Sequence, residues 1–314
     1  MGRQRRTSAI HAGLVGAREL VGTAYLADPA LREQYAREIA PRTEAALGRV
    51  LGELWGDPGR APAPPRRALD LGAGTGAAGR TLRARFGEAL ELVSVDRTGG
   101  APDVIRANLA VELPAVPGQF DLIVAAHLLN ELFVDQARDR RIELRARRVL
   151  AWAQALLAPS GLIVLIEPAL RETSRELLAV RDRLLPAGLH VVAPCFWQGP
   201  CPALASERDW CHDAAPVPSR PRVDFSYLVL RAEAVAPAPG CARVVSDPLP
   251  DKGRLRLFVC GAQGRRELIR LSRHRSAANA GMDQAARGDV LGIADADGAR
   301  INAATSVVWR DRSS

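Results

Sequence analysis

The chain has 314 residues, of which 47% are hydrophobic and 25% are charged. This composition is typical of a globular protein whose core is large enough to fold without disulfides. The longest apolar candidate, Leu162–Ile166, ends at Glu167 and is far shorter than the about 18 to 20 residues that a membrane span requires. The sequence therefore argues against a membrane-embedded protein.

The net charge is +8, which indicates a polyanionic partner, because each arginine beside a phosphate gains affinity by releasing counterions. Charge alone does not identify that partner. The arginine-rich run Arg138–Arg148 is equally explained by the solvated face of a helix.

The N-terminus is basic. Arg3, Arg5 and Arg6 precede the first acidic residue, Glu19, which fits either a mitochondrial presequence or a basic tail before the first helix. Lys252 is the only lysine among 43 basic residues, a bias typical of GC-rich bacterial coding that favours the tail. We expect a monomer in the bacterial cytoplasm, or in the mitochondrial matrix if the source is eukaryotic. In such compartments five cysteines are expected to be metal ligands or free thiols.

Residues 8–56 have the pattern of helices. Asp28 and Pro29 form a cap followed by proline at the first helical position. A second helix is indicated by apolar residues at helical spacing, namely Leu47, Val50, Leu51, Leu54 and Trp55. Prolines then mark a linker at 57–67.

From residue 67 onward, strands and helices alternate, which predicts a mostly parallel sheet covered by helices. The predicted strands are Arg67–Leu71, Leu90–Asp96, Val104–Leu109, Phe120–Ala126, Leu162–Glu167, Leu189–Ala193 and Phe225–Ala232. The last two bracket a cysteine-rich loop. Seven strands, the last two joined by an insertion, are the count of the Rossmann-like α/β sheet of class I S-adenosylmethionine-dependent methyltransferases.

After a short linker at 235–240 the alternation stops. The expected strands are Ala242–Ser246, Arg254–Val259, Glu267–Arg273, Val290–Ala294 and Ile301–Val308. With a helix at Ala277–Ala286 between the third and fourth, this order resembles a small β-barrel of the OB type. We therefore predict three regions, which are an N-terminal helical region (1–58), a methyltransferase domain (59–236) with a cysteine-rich insert (194–220), and a small β-rich domain (237–314).

A glycine-rich loop, LDLGAGTG, follows the first predicted strand and opens a helix. Its glycines allow a ligand to approach the backbone at the carboxyl edge of the sheet. The loop resembles the first motif of S-adenosylmethionine-dependent methyltransferases, which implies cofactor contacts for Asp70, Gly72, Gly74 and Gly76. Asp96, at the end of the second strand, is placed to accept hydrogen bonds from ribose hydroxyls.

Two further points concern this cofactor site. Asn108, at the end of the third strand, is a candidate for the adenine edge, although a solvated turn explains it as well. The alternating glycines lack the register of dinucleotide-binding loops, which counts against NAD.

The fourth strand runs into a polar segment that would border the transferred methyl group. Its candidate catalytic residues are His127, Asn130 and Glu131. The alternative is that Asn130 and Glu131 only cap and decorate the next helix. No tetrapeptide typical of amine methylation and no Pro-Cys nucleophile is present, so the sequence does not name the methyl acceptor.

Cysteines form the other constellation, with the spacing C-x5-C-x9-C-x48-C for Cys195, Cys201, Cys211 and Cys260. Structural zinc usually uses tight cysteine pairs, whereas iron–sulfur sites tolerate wider loops with neighbouring prolines. The spacing therefore favours a four-iron cluster over zinc. Cys241 is a rival for the fourth position, His212 is expected at the surface, and unconnected buried thiols are the alternative.

Five segments together resemble the methyltransferase-like family associated with the small ribosomal subunit in bacteria and mitochondria, the Rsm-type ribosome assembly proteins. They are LDLGAGTG, FDLIVAAHLLNEL, LIEPAL, PCFWQGPC with DWCH, and DFSYLVL. The resemblance implies a 4Fe-4S cluster on the four cysteines, and the small ribosomal subunit with its rRNA as partner. Cys260 departs from the family pattern, because it lies in LFVCGAQG without the expected Thr-Pro.

Two functions follow from these expectations. The first is an S-adenosylmethionine-dependent rRNA methyltransferase, and the second is a non-catalytic rRNA-binding assembly factor with a structural zinc or iron–sulfur site. A NAD-dependent or metal-dependent small-molecule enzyme is disfavoured by the glycine register and the basic charge.

Overall fold

The computed structural model describes residues 8–56, 61–98, 103–195, 197–218, 220–235, 240–262, 264–294 and 298–310. The basic tail and parts of the two predicted linkers lie outside these residues. No helix in the described part of the chain is long and apolar enough to cross a membrane.

Short helices open the chain, at α1 (Ala9–His11), α2 (Pro29–Glu38) and α3 (Ala40–Trp55). Asp28 caps α2 as predicted, because its carboxylate accepts from the amide of Ala30 at 2.8 Å. The apolar stripe of α3 is buried and packs with Ala68, Leu122 and Val124 of the main sheet. The apolar stripe of α3 is therefore covered by the main sheet.

The main sheet has eight strands, at β1 (Arg67–Leu71), β2 (Glu91–Asp96), β3 (Val104–Arg106), β4 (Phe120–Ala126), β5 (Leu157–Pro168), β6 (His190–Ala193), β7 (Asp213–Val217) and β8 (Arg220–Arg231). Its order is β3-β2-β1-β4-β5-β8-β6, with β7 paired to β8. Strand β8 is antiparallel to β5, β6 and β7. Without the inserted β7, this is the order of the class I methyltransferase sheet, and it confirms the predicted fold class.

Helices cover the two faces of this sheet. Along β4, Ile123 packs into one buried cluster, whereas Leu122 packs into the other, with α3. The first face is covered by α5 (Arg138–Leu156) and α6 (Arg171–Leu184), and α4 (Ala77–Phe86) lies beside α3. Two-sided burial explains why these strands are continuous apolar runs.

The arginine-rich run at 138–148 does not lie wholly on a solvated face. Arg145 is only 3% exposed, and its guanidinium donates to Glu176 and to the carbonyl oxygens of Leu132 and Asn130. A buried arginine is stable only when its donors are satisfied in this way. Part of the basic run therefore supports the segment after β4.

A second, curled sheet follows, with β9 (Cys241–Val244), β10 (Leu249–Asp251), β11 (Arg254–Gly261), β12 (Gly264–Leu271), β13 (Val290–Ala294), β14 (Arg300–Ile301) and β15 (Ser306–Arg310). Its order is β14-β12-β11-β9-β13-β15, with β10 paired to β11. When β14 and β15 are counted as one interrupted strand, the pairing closes on itself in the OB manner. This agrees with the expected β-barrel-like fold.

Two local predictions for this sheet were wrong. The helix expected at 277–286 is a 3-10 turn, Ala277–Asn279, followed by the short α7 (Gly281–Gln284). The strand expected at Ile301–Val308 is broken because the Asn302 side chain accepts from the amides of Ala304 and Thr305. Asparagine forms such local turns readily, and these compete with strand pairing.

Candidate functional sites

The glycine loop makes a turn that only glycine adopts easily. Gly72 and Gly76 have φ angles of 75° and 81°, in the left-handed region that a side chain disfavours. A Cβ on Gly72 would lie 3.0 Å from the Leu128 side chain. The loop therefore keeps its backbone accessible beside the ends of β1 and β4.

Asp96 is fixed against this loop. One carboxylate oxygen accepts from the amide of Gly74 at 3.0 Å, and the other accepts from the amide and hydroxyl of Thr98 at 2.7 and 2.8 Å. The carboxylate is thus held rigidly at the carboxyl end of β2.

These groups open on one cavity of about 110 Å³, termed the cofactor cavity. Of the predicted cofactor residues, Gly72, Gly74, Asp96 and Asn108 line it. Asp70 and Gly76 are not in its wall. Asp70 is buried behind the loop, where burial and the neighbouring Asp96 raise its pKa to about 7, against a lowering by the Gly79 amide.

His127 lies where β4 ends and has a φ of 58°, a strained conformation that is frequent at functional sites. Its Nδ1 is buried without a hydrogen-bond partner. Burial, together with the charge of Arg42, lowers the pKa of His127 to about 4. The imidazole is therefore neutral near pH 7.

Glu131 follows in the wall of the same cavity. The Tyr25 hydroxyl donates to Glu131 Oε1 at 3.0 Å. Burial raises the pKa of Glu131 to about 7, and this hydrogen bond opposes the rise. Tyr25 belongs to the N-terminal segment, and no sequence pattern indicated that it reaches this site.

Asn130 is held by its surroundings. Its amide nitrogen donates to the carbonyl of His127 at 3.0 Å, and its amide oxygen accepts from Arg18 at 3.2 Å. Its backbone amide donates to Glu167 at 3.2 Å. These contacts suit a residue that fixes the turn after β4.

The four predicted cysteine ligands line a second, smaller cavity of about 30 Å³, termed the cysteine cavity; they are Cys195, Cys201, Cys211 and Cys260. Cys241 does not line it. Burial, together with the neighbouring cysteines, raises the pKa of Cys201 to about 11 and that of Cys260 to about 12. Within the described residues, no group of three or more His, Cys, Asp and Glu side chains is arranged to hold a metal ion.

His212 does not line the cysteine cavity either. It is half-buried rather than at the surface, and its ring stacks on that of Trp210 with the centroids 6.0 Å apart.

Helix α6 holds the cysteine-rich loop through side chains that the sequence did not single out. Asp182 accepts from the amide of Cys201 at 2.8 Å. Arg181, only 1% exposed, donates to the carbonyls of Trp197 and Gly199. One turn and a half earlier, Arg175 donates to three more loop carbonyls, those of Ala203, Ser206 and Asp209.

Arg243 of β9 joins the two sheets. Its buried guanidinium donates to the carbonyls of Pro194 and Gly288 and pairs with Glu53 of α3. The Tyr227 hydroxyl of β8 donates to the same Glu53. The cysteine cavity therefore lies where the N-terminal helices, the main sheet and the curled sheet meet.

Comparison with known proteins identifies the family. The profile of a family described as mitochondrial small ribosomal subunit Rsm22 matches residues 32–312. The chain belongs to the Rsm22 family. This confirms the resemblance inferred from the sequence, as far as the family and its small-subunit association are concerned. No curated protein is a significant match.

Several solved structures are distantly similar to this chain. A TehB-like S-adenosylmethionine-dependent methyltransferase from Corynebacterium glutamicum is 18% identical, with a TM-score of 0.38 over 66% of this chain and 100% of that one. The plantazolicin methyltransferase BamL is 14% identical, with a TM-score of 0.42 over 69% and 96%. TrmN from Thermus thermophilus is 18% identical, with a TM-score of 0.38 over 64% and 52%. Likeness of this degree says nothing about substrates.

Proposed function

We propose that this Rsm22-family protein is an S-adenosylmethionine-dependent methyltransferase that acts on small-subunit rRNA during ribosome assembly. One observation carries the proposal. A rigid carboxylate, Asp96, and the strained turn at Gly72 open on the same cavity as His127 and Glu131. A cofactor bound there would have the catalytic candidates beside it.

The residues present fit the cofactor. Gly72 and Gly74 leave backbone exposed where a Cβ would crowd Leu128 or Leu26, Asp96 suits ribose hydroxyls, and Asn108 borders the cavity. When bound, S-adenosylmethionine supplies an electrophilic methyl group. The carboxylate of Glu131, and Asp70 behind the loop, would favour a cationic ligand once they are ionised.

The chain's own catalytic contribution is proton acceptance and positioning. His127 presents a neutral ring, and its Nδ1 has no hydrogen-bond partner within the described part of the protein. Glu131, with a pKa of about 7, exchanges a proton readily near neutral pH, as a general base should. Asn130 is assigned to holding the turn that carries both side chains.

We also propose that the cysteine cavity holds a 4Fe-4S cluster. Structural zinc usually takes its ligands from tight cysteine pairs, which the spacing of these four cysteines lacks. A four-iron cluster instead takes one thiolate at each iron, which suits four thiols spread around a cavity. Arg181 and Arg265 in the same wall would balance its negative charge. Zinc remains the alternative.

A non-catalytic assembly factor is the second candidate. The matching family description names a ribosomal subunit and no reaction, and a pKa of about 4 makes His127 a weak base. In that case the fold would serve rRNA binding, with the cluster as a brace between the proposed domains 59–236 and 237–314. Either role places the protein at the small subunit, in the cytoplasm or the mitochondrial matrix.

One experiment separates the two roles. Unmodified small-subunit rRNA is incubated with the purified protein and methyl-tritiated S-adenosylmethionine, and ribosomal particles from cells carrying Gly74→Arg or Cys201→Ser are sedimented. Label in rRNA supports the methyltransferase. Co-sedimentation that survives Gly74→Arg and is lost with Cys201→Ser, without label transfer, supports the assembly factor.

A further inference from the structure

A second large cavity adjoins the cofactor cavity. It measures about 320 Å³, is open to solvent, and shares four wall residues with the cofactor cavity, namely Tyr25, Tyr35, His127 and Glu131. The shared residues are the ones that would border the methyl group. We term this the acceptor cavity.

The acceptor cavity is large enough for a single nucleobase. Its volume of about 320 Å³ lies at the lower end of the range of about 300 to 1,000 Å³ that is usual for ligand pockets.

The walls offer flat rings. Tyr25 and Tyr35 lie with ring centroids 6.0 Å apart and planes tilted by 36°, and Phe225 contributes a third ring. Proteins that act on nucleobases hold the unstacked base between aromatic or apolar side chains and read its edge with polar groups. Glu131 and the bare Nδ1 of His127 are such groups at the inner end.

The wall of the acceptor cavity carries charges of both signs, because Arg42 and Arg222 lie there with Glu131 and Asp224. Arg222 pairs with Asp224 at 2.9 Å and with Asp247 at 3.2 Å. Arg42 is the second arginine of the wall, and arginines beside a pocket commonly position the sugar–phosphate backbone, while the pocket itself receives the base.

Part of the wall of the acceptor cavity comes from residues that precede the region matched by the family profile. Residues 8–28, termed the strap, precede the matched region 32–312. Arg97 holds the strap by donating to the carbonyls of Gly22 and Thr23 at 3.1 and 2.6 Å. Strap residues His11, Leu14, Val15, Val21 and Tyr25 line the acceptor cavity.

From these observations we infer that the acceptor cavity binds an unpaired nucleobase of RNA, with the strap as its outer wall. The inference rests on the proposed methyltransferase function, because it assigns the acceptor of that site. Binding of the base is predicted independently of turnover, which allows the two to be tested apart.

The test uses the full-length protein with unmodified small-subunit rRNA. The complex is irradiated with ultraviolet light, digested, and searched by mass spectrometry for nucleotide adducts. We expect adducts on Tyr25, Tyr35 or His11. Val21→Trp, which fills only the acceptor cavity, should reduce them at least tenfold while the affinity for S-adenosylhomocysteine changes by less than about twofold.

The matched control is Val111→Trp, because Val111 is 76% exposed and lines neither cavity; its adducts should equal those of the wild type. Adducts confined to other surfaces, or unaffected by Val21→Trp, would overturn the inference. Failure of the wild type to bind S-adenosylhomocysteine in calorimetry would overturn the proposed function instead. If Val21→Trp abolished binding of a small molecule and the protein formed no RNA adducts, the acceptor would not be RNA, and the inference would likewise be refuted.

Discussion

The cofactor cavity and the cysteine cavity are built in different ways. The first is built around a glycine turn and a carboxylate at the ends of neighbouring parallel strands. The second is made of side chains from the loop 195–211 and from β11, held by arginines of α6 and β9. The glycine turn and Asp96 are therefore set by local geometry, whereas the cysteine cavity depends on how distant elements pack.

The largest effect on stability should come from the interface around the cysteine cavity. Arg243→Met leaves Glu53 buried without its cationic partner, which should lower the free energy of unfolding by about 3–5 kcal/mol. Denaturant unfolding measures this. Arg254→Met is the matched control, because its pair with Asp251 is exposed and is worth only about 0–1 kcal/mol. Equal effects would refute the assignment of Arg243 as the joint between the sheets.

Metal content directly tests which cysteines form the site in the cysteine cavity. Cys260→Ser should lower the iron of anaerobically purified protein to below about a tenth of the wild-type value, because folding and metal binding are coupled. Cys241→Ser should leave iron unchanged, because Cys241 lies outside the cavity. Iron analysis with a visible spectrum distinguishes the two. Loss of iron in Cys241→Ser alone would exchange the roles of these cysteines, and zinc in place of iron would replace the cluster.

The glycine turn of the cofactor cavity predicts that cofactor affinity is sensitive to an added side chain. Gly72→Val forces a side chain into a left-handed conformation and against Leu128, a strain of about 1–3 kcal/mol, so affinity for S-adenosylmethionine should fall about 10- to 100-fold. Gly48→Ala, in α3 with open space around it, should bind as the wild type does. Unchanged calorimetric affinity in Gly72→Val would mean that the cofactor does not use this turn.

Much of the cofactor cavity was predictable because its determinants are local. The loop at 70–76 and Asp96 are read from strand ends and spacing, and the structure brings Gly72, Gly74 and Asp96 together. Tyr25 was missed because it arrives from a distant segment whose sequence carries no motif. The position of such a residue is set by tertiary contacts, here the bond to Glu131.

For the cysteine cavity, sequence identified the thiols but not their support. Strand β7 was missed because it is short and contains Pro216, and it forms by pairing with the extended start of β8. Arg181 and Asp182 look like ordinary charges on a helix, yet they bind the loop backbone. Only the packing of α6 against the insert reveals their role.

The smallest predicted effect is a pH dependence confined to the cofactor cavity. Glu131 has a pKa of about 7, so it is neutral below and negatively charged above that pH. A cationic cofactor should therefore bind about tenfold more tightly at pH 8 than at pH 6. Calorimetry at both values should find this difference reduced in Glu131→Gln, whose amide keeps the shape without titrating. An unchanged pH dependence in this variant would remove Glu131 from cofactor recognition.

The most direct test of the proposed methyltransferase function is a calorimetric titration of the wild-type protein with S-adenosylmethionine. We expect one site per chain, with a dissociation constant in the range of about 1 μM to 1 mM that is typical of enzyme substrates. Absence of binding to protein that carries its full complement of iron would contradict a methyltransferase function and leave the fold as a scaffold for ribosome assembly.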